Sequence, residues 1–213
     1  MDNQDATTSL LINELESPQI DTRLSAITTI SKHHSQNTLC TQSLISALSS
    51  ESVTEVKAAI CIALGETKTN QSKVVQVLCH ALNDDAPLVR EHAISALHNF
   101  VDAASPAIAN LIYCLKDSSV HVRANAAWLL GKLNNPASII TESLCDCLND
   151  SEALVRWRSA RALKQLNAIS IRIVLSLENA LLDPNYLVAC AAKEAFISIQ
   201  DRNVCQLPTS LVA

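Results

Sequence analysis

DSSVHVRANAAWLLGKL, residues 117–133, is the stretch whose reading decides the fold. After the acid comes a Val-Arg step, and Ala126, Leu129, Leu130 and Leu133 then take positions 3, 6, 7 and 10 after Arg123, the spacing of one helix face. The same arrangement returns in EVKAAICIALGE (55–66), LVREHAISALHN (88–99) and LVRWRSARALKQ (154–165). Their basic residues, Lys57, Arg90, Arg123 and Arg156, recur at a constant interval of 33; Arg23 lies 34 before Lys57, and Ala189 replaces the base 33 after Arg156. Such a period marks stacked repeats, because one short unit cannot bury its apolar face alone. Six units cover about residues 8 to 201.

Upstream of each base lies a second pattern. VQVLCHALND, ANLIYCLKD and TESLCDCLND place apolar residues three and four positions ahead of a leucine, at Leu15, Leu48, Leu82, Leu115, Leu148 and Leu181. This is helical spacing, so each unit reads as helix, short turn, helix. Asp84, Asp117, Asp150 and Asp183 follow in the turn, with Glu51 in the equivalent place and Ser17 in the first unit. An acid or serine there is expected to cap the second helix, with Pro18 and Pro184 at its first position. Pro106 and Pro136 fall between units.

The motif of an acid, four residues, Val-Arg, Ala and Ala-Leu-Gly resembles the short HEAT-like repeats of the family named after phycobilisome lyases. DSSVHVRANAAWLLGKL matches it best and NDSEALVRWRSARALKQL well. The resemblance spans all six units, with Ser17 for the acid in the first and Ala189 for the base in the last, departures that suit capping repeats. It implies an all-α fold, a right-handed α-solenoid of about six HEAT-like hairpins. The expected organisation is one repeat domain, 8–201, with units 8–37, 38–70, 71–103, 104–136, 137–169 and 170–201, and with 1–7 and 202–213 as tails or caps. An ankyrin array has a similar period, but Thr-Pro-Leu-His is absent and two glycines are too few for its turns. Members of the resembled family attach or detach bilins on phycobiliproteins or assist phycobilisome breakdown. Lyases of that family commonly work as pairs of longer chains, so six repeats alone fit its degradation or adaptor branch better.

Composition narrows the function classes. With 48% hydrophobic residues, only two glycines and 3% aromatics, the chain favours helix and can bury a core. Its net charge of −5 offers no general attraction to nucleic acid or anionic membrane, and neither is expected as a partner. MDNQDATTSLL lacks the features of a secretion signal and no segment has about 18 uninterrupted apolar residues, which reads as a soluble cytoplasmic protein.

Signs of chemistry are thin. Cys79 and Cys145 sit where other units place Ile12, Ile45 and Ile112, and Cys114 and Cys147 where others place alanine, so all four read as core. Cys145 and Cys147 point about 200° apart on a helix and cannot share an ion. Cys190 takes an outward register and is the candidate reactive thiol. Eight cysteines without a secretion signal imply a reducing compartment. There is no phosphate loop, His-Glu-x-x-His or Gly-x-Ser-x-Gly, Glu91-His92 runs opposite to the His-Glu of di-iron hydroxylases, and His33-His34 reads as a solvated helix end. No catalytic residue, metal or cofactor is expected, a bilin aside under the family reading.

Function then falls to the outward side of the second helices, positions 1, 5 and 8 after the base, which lines the concave surface in HEAT-like solenoids. Trp157, Arg161 and Lys164 occupy these positions in the fifth unit, and Trp128 and Lys132 face outward from the fourth. Adjacent helices pack about 8 to 10 Å apart, so two indoles and three cations share one patch. Asn125 and Arg158, both at position 2, and His92 in the neighbouring unit flank it. Tryptophan and arginine dominate binding hot spots, so the expected function is a non-enzymatic scaffold or adaptor holding another protein, with a phycobiliprotein or its bilin as the alternative cargo. Arg156, six positions after the acid, is expected instead to pair with capping acids along the stack. Self-association is not legible.

Overall fold

The computed structural model describes residues 3–206, with side chains from 6 to 200. Its helices are α1 (Asn3–Glu14), α2 (Ile20–His33), α3 (Thr38–Ser50), α4 (Thr54–Gly65), α5 (Gln71–Ala81), α6 (Pro87–His98), α7 (Ile108–Cys114), α8 (Val120–Lys132), α9 (Ser138–Cys147), α10 (Ala153–Leu166), α11 (Ile171–Ala180) and α12 (Tyr186–Gln206). No strand occurs among the described residues, and the six helical pairs form an α-solenoid. α1 begins at Asn3, inside the stretch expected as a tail, while the expected tail 202–213 is helical as far as Gln206 and lies beyond that outside the described residues. The chain divides into two compact units, Met1–Asn110 and Leu111–Ala213, with the boundary inside α7.

The expected core forms. The valines at the position before the base register (Val56, Val89, Val122, Val155 and, ahead of Ala189, Val188) are at most 1% exposed. Ala126, Leu129 and Leu130 are fully buried, whereas Leu133, just past the end of α8, is half-buried. Cys114, Cys145 and Cys147 are buried as read, but Cys79 is half-buried. Burial pushes the Cys147 thiol up to about 11 and the Cys61 thiol up to about 12, so both stay protonated fillers.

The basic register is a ladder of staples. Arg123 donates from Nε and Nη2 to both carboxylate oxygens of Asp150, at 2.7 and 2.9 Å, and from Nη1 to the Asp117 carbonyl of its own turn at 2.8 Å. Arg156 repeats this with Asp183, at 2.7 and 3.0 Å, and with the Asp150 carbonyl at 2.8 Å. In the first unit Arg23 takes Glu51 at 2.8 Å and Lys57 takes Asp84 at 2.7 Å. Arg23, Arg123 and Arg156 thus tie their own turn to the next pair, and with 13% and 12% side-chain exposure the Arg123–Asp150 bridge is largely removed from water.

The acids do not cap the helices as expected. Asp84, Asp117, Asp150 and Asp183 accept from the backbone N–H two positions on, at Ala86, Ser119, Glu152 and Asn185. Where the residue flanking the helix start is assigned, it is Ala86, Ser119 or Glu152, none with a side-chain cap. The acid therefore folds the turn as an Asx-turn while the same carboxylate serves the ladder. Pro18 and Pro184 accordingly sit two positions ahead of the first helical residues, Ile20 and Tyr186.

Two devices explain how so few glycines suffice. The left-handed turn positions are taken by Asn70, Asn134 and Asn167, with φ of 52°, 49° and 55°. The glycines lie inside second helices instead, where a Cβ on Gly131 would stand 2.7 Å from Ala162 Cα, and one on Gly65 3.0 Å from Ala96 Cα. α4 and α6, and likewise α8 and α10, hence touch almost backbone to backbone. One irregularity precedes α7: short 3-10 turns at Val101–Ala103 and Ser105–Ala107, the latter containing Pro106, replace the expected start of that first helix.

Candidate functional site

The site is built on α8 and α10, which pack side by side in the second unit with Gly131 against Ala162. Register positions 2 and 5 carry Asn125 and Trp128 on α8, and Arg158 and Arg161 on α10. One repeat after Asn125, Arg158 comes opposite it and donates a hydrogen bond to its side-chain oxygen. Its guanidinium also lies 5.7 Å from the centre of the Trp128 ring. Arg158, Asn125 and Trp128, all half-buried, therefore form a staple between neighbouring helices as well as a surface.

Trp157 and Arg161 form the more open half. One helical turn brings the Arg161 guanidinium to 5.1 Å from the Trp157 ring centre; the indole is half-buried and the arginine exposed. Lys164, half-buried, donates to Glu194 on α12 at 2.9 Å. That hydrogen bond, with the charges of Lys164 and then Arg161, holds the Glu194 carboxyl below its ordinary value. Lys132 is exposed at the end of α8. Trp128, Trp157, Arg158, Arg161, Lys164, Asn125 and Lys132 thus share one row of second helices, while His92 lies half-buried on α6 in the other unit.

The outward assignment needs correcting at two registers. Position 8 holds Gly65 and Gly131 at the seam between helices, and position 1 holds the buried Ala58 and Ala124. A helical wheel sees one helix and not its neighbour, so it marked both as open. Trp157 and Lys164 therefore emerge from the seam, and positions 2, 5 and 9 make the open surface. Glu194 was missed, although it continues the register of Trp128 and Arg161 one repeat further on.

Other candidates are weaker. Cys190 is half-buried on α12, one turn after the exposed Tyr186. His33 ends α2 in solvent, and no group of three metal-ligating side chains occurs among the described residues. A groove of about 390 Å³ beside α5 is lined by Val75, Gln76, Cys79, His80 and Pro106. No described helix is long and apolar enough to cross a membrane.

The model of HEAT repeats matches residues 8–98 and 76–164. No curated protein matches the chain. Among solved structures, it is similar to an engineered protein with a TM-score of 0.69 and 20% identity over 92% of this chain and 97% of that one. A designed armadillo repeat protein in complex with the peptide (KR)4 aligns with a TM-score of 0.67 and 18% identity over 89% and 98%. YibA of Escherichia coli gives 0.68 and 18% over 98% and 81%. At these identities the likeness speaks for the fold alone. Since the repeat model matches most of its 213 residues, the chain belongs to the family of HEAT repeats.

Proposed function

We propose that the chain is a non-enzymatic, protein-binding scaffold that holds a segment of a partner protein on the α8–α10 ridge. The observation that carries this reading is the pair of stacked indole–guanidinium units, Trp128 with Arg158 and Trp157 with Arg161, on one open row. Both tryptophans of the chain are there, while the core is filled by Ala, Leu, Ile and Val. Trp128 also serves the staple with Arg158, and hot spots favour Trp and Arg. A related architecture holding a basic peptide supports the use of such a stack for peptides.

The test is selection of peptides from a random display library on the native chain, repeated with the Trp157→Ala, Arg161→Ala double variant. The variant should lose the selected peptides while keeping its helicity; retention would remove the ridge from the account. A phycobiliprotein cargo, the finer proposal that follows from the family resemblance, has its own check. Bilin propionates would suit Arg161 and Lys164 and the conjugated face the indoles, so after mixing with a linear tetrapyrrole and removal of the free pigment a visible band should stay with the protein; a colourless protein fraction rules that cargo chemistry out.

A further inference from the structure

The ridge has a chemical polarity of its own. A guanidinium held over an indole by a cation–π contact spends none of its N–H donors on that contact. Arg161 donates no hydrogen bond among the described residues, so it presents a pre-oriented fork to solvent. Exposed Lys132 and half-buried Arg158 extend the cationic surface along the same row. At its far side the row ends in a carboxylate, since Glu194 continues the register of Trp128 and Arg161 and holds Lys164 at 2.9 Å. Both side chains of that bridge keep much of their surface in water, 41% and 64%, so it is readily exchanged for a bridge to another carboxylate.

We propose that the ridge receives a carboxylate-rich polypeptide segment at Arg161 and that Glu194 is the chain's own competitor for the neighbouring cation. This rests on the reading of the ridge as a binding surface and names what it binds. A protein segment fits better than a nucleic acid: the cations span only a short stretch of the row and stop at Glu194, too short to follow a polyphosphate backbone.

Tryptophan emission reports the site directly, because the chain's two tryptophans both lie in it. Titration of the full chain with an octaglutamate peptide should change the emission saturably and more weakly as salt rises. Arg161→Ala should weaken binding about tenfold or more, the scale of a hot-spot arginine. Glu194→Gln should tighten it about two- to fivefold, the scale of an exposed ion pair. Glu178→Gln, which removes the same charge from exposed Glu178 on α11, should stay within about twofold, since a remote surface charge is largely screened. Three results would overturn the proposal: no response to octaglutamate, a Glu194→Gln variant that binds no tighter than Glu178→Gln, or tighter binding of single-stranded oligouridylate. If display-selected neutral peptides still require Trp157 and Arg161 while octaglutamate fails, this inference falls and the scaffold reading stands.

Discussion

One recurring pair of side chains does two jobs. The acid folds its own turn through a backbone N–H, and the base of the preceding repeat clamps the same carboxylate, so Arg123 joins the turn at Asp117 to the turn at Asp150. Replacing Arg123 by Ala should cost about 2 to 3 kcal/mol, the worth of a largely buried charge-assisted bond and the carboxylate it leaves behind. Lys132→Ala, at an exposed position, should change stability by less than about 0.5 kcal/mol. Thermal melts check both. The Arg156 guanidinium holds the Asp183 carboxyl below its ordinary value. At Asp150 burial pushes the other way, but Arg123 and backbone donors win; Glu51 and Asp84 are lowered against burial too. A depressed carboxyl contributes stability in full above its unfolded value, about 4, and loses it as pH falls through the folded one. Melting temperature should therefore hold from pH 7 to about 5 and fall below about 4, and Asp183→Asn should flatten that fall. An unchanged acid slope in the variant would remove the ladder as its cause.

At the scale of the element, the second helices are set by how near they come. Gly131→Ala adds helix propensity worth about 1 kcal/mol, yet puts a Cβ against backbone that cannot retreat, so a net loss of about 1 to 2 kcal/mol is expected by chemical denaturation. A gain would mean the helices can move apart. The sequence displayed the helices themselves clearly, because their helical periodicity is local, and it displayed the Arg–Asp pairing because a base six positions after an acid recurs. It hid the seam: whether position 1 or 8 meets solvent depends on the helix one repeat away. It also hid the turn, since an aspartate ahead of a helix looks the same as a cap or as an Asx-turn. Arg158 shows the limit well. Its offset of one repeat from Asn125 was visible, but not that the guanidinium would reach both Asn125 and the Trp128 ring.

For the molecule as a whole, stability should be nearly a sum over pairs and their interfaces. Removing residues 170–213 takes away α11, α12 and the Asp183 partner of Arg156, yet leaves the preceding pairs their own cores. The shortened chain should remain helical and melt at lower temperature; total loss of structure, read by circular dichroism, would mean the repeats fold only as one. The candidate site was legible as residue types on one row of helices, and its division into a staple and an open half was not.

The same helices carry a structural row and the row proposed for recognition, and one paired measurement separates them: thermal unfolding and peptide binding of Arg123→Ala and Arg161→Ala side by side. Arg123→Ala should melt about 5 to 10 °C lower, by the usual conversion for a chain of this size, and still bind below its transition. Arg161→Ala should melt within about 2 °C of the native chain and lose binding. Arg161→Ala that melts early, or that binds as the native chain does, would contradict the account.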